Sequence, residues 1–359
     1  MKQTEIAIVG GGPAGLSAAL QAAKLGAEVY LIDRNDYLGG QLIKQTHRFF
    51  GSKEQRASER GIDIARELAQ QVTAQPNIKV MTEATALGYY EDGVLLVEQQ
   101  RKVFTVKPQR LIIATGGAEK TLLFPNNDLP GVYGAGAVQT LVNVYGVKPG
   151  QRVLMVGAGN IGVIVSYQLL QAGVEVAAII EAAPRIGAYW VHAAKVVRAG
   201  VPIYTRHTIL RAHGTREVTG ATVVQLDEKW QPVAGTEKMF DVDVICLSVG
   251  LTPLTELLWQ AGCRMVFVPE LGGHVPLRNE RLETSVPGIY VAGDVSGIEE
   301  ASAAMMEGAL AGLNAAADLG YTSESLAADR QHLLVQLAGL RSGPVGEKIR
   351  KGLAQVLLK

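Results

Sequence analysis

Apolar and polar positions along this chain repeat one plan twice. Glu5 to Val9 runs into a block of apolar residues, the pattern of a parallel strand buried on both faces. The turn Gly10-Gly11-Gly12-Pro13-Ala14-Gly15 follows, then a helix to about Leu25 and a second strand, Glu28 to Ile32, that ends on Asp33. An amphipathic helix is predicted from about Arg60 to Val72, and Thr85 to Val106 alternates around Asp92-Gly93, the dipeptide of a tight hairpin. The first copy closes on the apolar run Leu111-Ile112-Ile113-Ala114 and the turn Thr115-Gly116. The plan then restarts with strand Arg152 to Val156, turn Gly157-Ala158-Gly159-Asn160-Ile161-Gly162, a helix, and strand Val174 to Ile180 ending on Glu181. A hairpin-like stretch, Thr219 to Phe240, precedes a last strand that closes at Gly250. Two nucleotide-binding domains follow from such a duplication.

Beyond Gly250 the pattern completes the first copy. Gly288 to Ala292 is a short strand ending in Gly293-Asp294, and an alanine-rich helix is predicted over Glu299 to Leu319. Gly308 and Gly312 interrupt that helix at a cost of about 1 kcal/mol each relative to alanine, tolerable where another backbone must pack close. Residues 321–359 read as a separate helical tail whose Leu333, Leu334, Leu337 and Leu340 form an apolar stripe, suited either to its own domain or to docking a partner.

Composition narrows the function classes. Lys plus Arg equals Asp plus Glu at 34 each, so nothing advertises a nucleic-acid partner. Two cysteines, Cys246 and Cys263, rule out a disulfide framework and a zinc module, and the six histidines never fall at ligand spacing, so no metal is expected. Three uncharged stretches, 6–23, 129–147 and 153–174, are long enough to span a membrane, yet glycine clusters and polar residues such as Gln21, Asn143 and Asn160 break them. No transmembrane segment and a cytoplasmic location are therefore expected.

The glycine turns carry the chemistry. In each copy the motif follows a strand, opens a helix and has an acid 18 or 19 residues past its last glycine: Asp33 after Gly15, Glu181 after Gly162. Gly10 and Gly157 permit the tight turn. Gly12 and Gly159 let a pyrophosphate reach backbone N–H groups at the positive helix end, and Gly15 and Gly162 let helix and strand pack. The acids would take ribose hydroxyls. A carboxylate at Glu181 repels the 2′-phosphate of NADP and favours NAD; Arg185, four residues on, argues the other way.

In order, Gly10 to Gly15, Asp33, Gly39-Gly40-Gln41-Leu42, Ala114-Thr115-Gly116, the second glycine turn and Gly293-Asp294 resemble the flavoproteins with two dinucleotide-binding domains, among them the thioredoxin reductases. The likeness spans about residues 5–320. It implies an α/β fold of two Rossmann-like domains, with the NAD(P) domain, 119–250, inserted into a discontinuous FAD domain, 1–118 and 251–320. It also implies that Gly10, Gly12, Pro13, Ala14, Gly15, Asp33, Arg34, Gly40, Gln41, Thr115, Gly116, Gly293, Asp294 and Ala301 contact FAD. Gly157, Gly159, Asn160, Ile161, Gly162, Glu181 and Gly250 would contact the nicotinamide nucleotide. The helix entered at Ala301 would point its N-terminus at the flavin N1 and C2 carbonyl.

Departures from that family are informative. Where thioredoxin reductases carry C-x-x-C, this chain reads Gly131 to Thr140 without a thiol, and no cysteine stands near Gly40. Cys246 lies in an apolar strand and reads as an inert core residue, while Cys263 after Gly262 reads as partly exposed. Lys44, His47 and Arg48 form either a solvated loop or an anion contact, and Tyr189, Trp190 and His192 a packing or partner cluster.

A closer likeness lies in Gly131 to Leu154, Gly293-Asp294-Val295-Ser296-Gly297-Ile298 and Glu307-Gly308. These resemble the flavin subunits of opine oxidase, hydrogen cyanide synthase and dye-linked proline dehydrogenase assemblies. That likeness implies an oligomer containing a second flavoprotein. It also implies that any iron–sulfur centre belongs to another protein, since no cysteine-rich module follows. The reaction expected is hydride and electron transfer between NAD(H) and FAD, with no protein residue as nucleophile. The alternatives are a ferredoxin or quinone reductase and a non-catalytic electron-relay subunit.

Overall fold

The computed structural model describes residues 1–344 and 346–358. The chain divides into two compact units, residues 1–118 with 251–359, and residues 119–250.

In the first unit a parallel sheet runs Ile78–Met81, Val29–Ile32, Lys2–Val9, Lys102–Ile113, Ile289–Val291. Period-two alternation sorts the first strand: Ile6 and Ile8 face a core shared with the helices Pro13–Lys24, Gly61–Ala74 and Ala301–Ala317, while Ala7 and Val9 face a second core with Leu95, Val97 and Leu258. The hairpin Ala84–Tyr89 with Leu95–Gln99 joins the sheet antiparallel, turning at Gly93 with φ of 78°. Register aligns Val9 with Ile32 and Ile113, and Ile113 with Val291, so four strands end together at one edge. Loops leaving that edge form the cleft of an open α/β sheet.

Two helices meet almost backbone to backbone. A Cβ at Gly308 would fall 2.0 Å from Ala14 O, and one at Gly312 would fall 2.2 Å from Ala18 O. The two helix glycines therefore allow the helix Ala301–Ala317 to lie directly on Pro13–Lys24.

The expected separate tail over 321–359 is corrected. On the helix Leu326–Leu340, Leu337 is buried and Leu333, Leu334 and Leu340 are half-buried against the same core as the alanine-rich helix. Val356 is buried with Val268, Leu271 and Val275, and its carbonyl accepts the Arg278 N–H at 2.9 Å. The apolar stripe is covered by its own unit.

The second unit repeats the plan around a parallel sheet ordered Ile203–Thr205, Glu175–Glu181, Arg152–Val156, Val244–Leu247, Val132–Gly134. Val153 and Met155 face one core, Leu154 and Val156 the other. A three-stranded antiparallel sheet, His207–His213, Gly220–Gln225 and Lys238–Phe240, supplies Ile209, Ala212, Ala221 and Val223 to the second core.

Candidate functional site

The two glycine turns sit at the C-terminal edges of their sheets, where strand gives way to helix. Gly10 and Gly157 have φ of 111° and 109°, values that L side chains rarely adopt, and a Cβ on either would lie 2.2 Å from a carbonyl, Ala114 O or Ser248 O. Gly15 and Gly162 are closed too: a Cβ there would lie 1.7 Å from Gly10 O and 2.1 Å from Gly157 O.

The middle glycines differ. A Cβ at Gly12 would meet nothing nearer than the Gly40 Cα at 3.8 Å, and one at Gly159 nothing within 4 Å. Each is the N-cap of its helix, neither end is capped by a side chain, and Pro13 fills the first helical position of Pro13–Lys24. Both turns thus leave a cradle of the size and polarity a diphosphate needs, at the positive end of a helix.

The acids complete each turn in the same way. Asp33 accepts the Gly11 N–H at 2.5 Å on one oxygen and the Asn35 N–H at 2.8 Å on the other. Glu181 accepts the Ala158 N–H at 2.8 Å and the Ala183 N–H at 2.9 Å. Each carboxylate is held at the rim of its cradle by backbone donors on both sides. Arg34, next to Asp33, is exposed.

Around the first cradle the structure gathers the other predicted residues of that unit. The Gly39 N–H donates to Gly11 O at 2.8 Å, and a Cβ on Gly40 would lie 2.7 Å from Gly12 Cα, so the Gly40–Lys44 turn lies against the glycine turn, with Gln41 exposed on it. Thr115 is occupied elsewhere: its hydroxyl donates to Leu254 O at 2.6 Å, and Gly116 O accepts the Leu254 N–H at 3.0 Å. A Cβ on Gly293 would touch the Ala14 Cβ at 2.9 Å.

Asp294 lies beside Gly117, whose added Cβ would be 3.6 Å from the Asp294 Cβ. Burial pushes the Asp294 carboxyl up to about 7. Ala301 opens its helix half-buried, behind the N-cap Glu300.

In the second unit, Asn160 uses its side-chain oxygen to accept the Tyr189 N–H at 2.9 Å, tying the loop after Glu181 back to the glycine turn. Ile161 is 40% exposed at the start of the helix, and Gly250 has φ of 108° with its carbonyl taking the Lys120 N–H at 2.9 Å. His192 is buried, which lowers its pKa, and Trp190 is exposed.

Neither cysteine is placed for redox work. Cys246 is fully buried, and burial raises its thiol pKa far above the usual range. The expectation that Cys263 is partly exposed is corrected: it is 5% exposed, donates to Thr284 Oγ1 at 3.4 Å, and burial raises its pKa also. Among the described residues no group of histidine, cysteine and acid side chains could hold a metal, and no helix is long and apolar enough to cross a membrane.

Sequence reasoning missed a buried charge cluster behind the Gly293-Asp294 turn. Glu307 accepts the Gly293 N–H and the Ser296 hydroxyl on one oxygen, both at 2.9 Å, and Arg278 at 3.2 Å and Arg341 at 2.6 Å on the other. Arg341 also grips Glu299 with two hydrogen bonds, at 3.0 and 2.6 Å. Burial opposes the charge on Glu307, but the guanidiniums of Arg278 and Arg341 hold its carboxyl below the usual range. The available signal was Glu307 itself, the one charged residue in the helix Ala301–Ala317.

A family model described as pyridine nucleotide-disulphide oxidoreductase matches residues 4–308. The alpha subunit of sarcosine oxidase from Rhizobium meliloti is 27% identical over 319 residues, covering 85% of this chain and 30% of that protein. The A subunit of opine oxidase from Agrobacterium tumefaciens is 28% identical over 339 residues, covering 89% and 66%. The HcnB subunit of hydrogen cyanide synthase from Pseudomonas aeruginosa is 27% identical over 330 residues, covering 86% and 69%. The chain thus spans about a third of the sarcosine oxidase subunits it matches. Among solved structures, L-proline dehydrogenase from P. horikoshii aligns at a TM-score of 0.72 and 25% identity, over 93% of this chain and 59% of that one. Thioredoxin reductase from T. acidophilum aligns at 0.73 and 25%, over 89% and 99%.

Proposed function

The chain belongs to the pyridine nucleotide-disulphide oxidoreductase family, as an FAD-dependent oxidoreductase related to subunits of amino-acid oxidase and dehydrogenase complexes, and from that premise we propose that it exchanges reducing equivalents between NAD(H) and bound FAD. One observation carries this reading: two turns of the same build, each with a closed first and third glycine, an open second glycine and an anchored acid.

In this reading the first turn, Gly10 to Gly15, takes the FAD diphosphate on its backbone N–H groups and Asp33 takes a ribose. Arg34, Gly40, Gln41, Thr115, Gly116, Gly293, Asp294 and Ala301 line the rest of the FAD site. Gly157, Gly159, Asn160, Ile161, Gly162 and Gly250 hold the nicotinamide nucleotide, and Glu181 selects NAD by repelling a 2′-phosphate. FAD supplies the hydride and electron chemistry once bound. The protein's part is to bind, orient and exclude, because both its thiols are buried and protonated.

The relatives named above are each one subunit of an assembly, which supports a reading in which substrate oxidation takes place together with a second flavoprotein or an iron–sulfur protein in a cytoplasmic oligomer. The substrate class is an amine or amino acid. Amine and amino-acid oxidation is measured with the isolated chain and again with co-expressed partner subunits. Turnover only in the second case is expected; vigorous turnover by the chain alone overturns the subunit reading.

A further inference from the structure

The FAD reading leaves Arg341 without a role, although it is the side chain on which the buried cluster turns. It lies beyond the stretch matched by the family, residues 4–308, at the end of the helix Leu326–Leu340. Its fork reaches both flanks of the Gly293-Asp294 turn. On one side it donates to Glu307 at 2.6 Å, and Glu307 holds the Gly293 N–H at 2.9 Å. On the other it grips Glu299, whose N–H donates to the Asp294 carboxylate at 3.3 Å.

Charge explains why the position needs a guanidinium. Glu299 and Glu307 are 10% and 3% exposed at the side chain, and Arg278 and Arg341 are 4% and 14% exposed, so the cluster is neutral and largely dry. Arg278 is committed to Glu307 and to Ser296 O, at 3.2 and 2.5 Å, and makes no hydrogen bond to Glu299. Without Arg341 two buried carboxylates share one cation. They repel, and relief comes by moving or protonating Glu299, which carries the backbone donor to Asp294 with it. A lysine would keep the charge but lose the planar fork that spans both acids.

We propose that Arg341 is a positioning residue of the flavin site, fixing the Gly293-Asp294 turn from both sides so that FAD affinity and flavin potential depend on it. The inference rests on the reading that this turn contacts FAD. Arg330 provides the control: it docks the same helix on the alanine-rich helix through a 2.8 Å bond to Asn314, away from the turn.

The test compares wild type, Arg341→Gln, Arg341→Lys and Arg330→Ala by FAD titration of the apoprotein, midpoint potential of the bound flavin, and thermal unfolding. Arg341→Gln should weaken FAD binding at least about tenfold, the scale of a lost charge-assisted hydrogen bond, and shift the potential to more negative values because uncompensated negative charge disfavours added electrons. Arg341→Lys should fall between, and Arg330→Ala should lower thermal stability with affinity and potential unchanged. Wild-type affinity and potential in a folded Arg341→Lys or Arg341→Gln overturns the proposal, as does an affinity loss that Arg330→Ala matches at equal loss of stability. A wild type that takes up no FAD instead overturns the FAD reading itself, and that result is read before any variant.

Discussion

Asp33 accepts the Gly11 N–H at 2.5 Å, and Glu181 takes the corresponding Ala158 N–H at 2.8 Å in the second copy. The acid at the end of the second strand therefore shapes the glycine turn before any ribose reaches it, and each turn is preorganised by its own carboxylate. Glu181→Ala should act twice. Two backbone donors lose their acceptor, at a cost of about 1–2 kcal/mol in unfolding free energy. Preference for NADH over NADPH should also fall about tenfold in flavin reduction. An unchanged nucleotide preference would show that Glu181 does not face the 2′ position.

Gly12 and Gly308 separate ligand space from packing space. Gly12 has φ of −79°, open to any residue, and free space before it, so Gly12→Val should fold with a stability loss below about 1.5 kcal/mol yet purify without FAD. Gly308→Ala drives a methyl into Ala14 O at 2.0 Å and should cost about 3 kcal/mol. Denaturant midpoints and flavin content of the two variants check this; a Gly12→Val protein with full FAD would place the diphosphate elsewhere.

Asp294 makes the apoprotein pH-sensitive. Its carboxyl is pushed up to about 7 by burial from an ordinary value of 3.8, so the folded state holds a proton that the unfolded state releases. This contribution is full below about pH 4, is lost as pH rises through 7, and is then flat. Apoprotein stability at pH 8.5 should lie below that at pH 5 by roughly 2–4 kcal/mol from this group, and Asp294→Asn should remove that share. Urea unfolding at the two pH values reads the difference; an equal pH dependence in Asp294→Asn would sink the assignment.

The thiols are structural. Cys246→Ser with Cys263→Ser should keep flavin reduction by NADH, with about 1–3 kcal/mol of stability lost, chiefly at position 246 where a hydroxyl replaces a fully buried thiol. Disulfide substrates should be inert with either protein. Loss of flavin reduction in a folded double variant would reveal a redox thiol.

Much of this architecture is legible locally. The run Glu5 to Val9 and the three-glycine turn declare a strand and a helix start, and Gly308 and Gly312 announced the close backbone approach that Ala14 and Ala18 provide. The family resemblance and the α/β fold class agree with the comparisons. What covers the stripe of Leu333, Leu334, Leu337 and Leu340 was not legible, because a 3.6-residue period marks the apolar face and says nothing of its partner. The Glu307–Arg341 pair was equally hidden: a lone charge in an alanine-rich helix demands a counter-charge, but no local pattern points to an arginine on another helix.

The most direct test of the account is anaerobic addition of NADH to the purified yellow chain, followed by its visible flavin absorption. Two dinucleotide cradles and no redox thiol predict about one FAD per chain, bleached by NADH faster than by NADPH and without any added disulfide. A flavin that NADH leaves oxidised would contradict the transfer and reduce the chain to an FAD-holding relay.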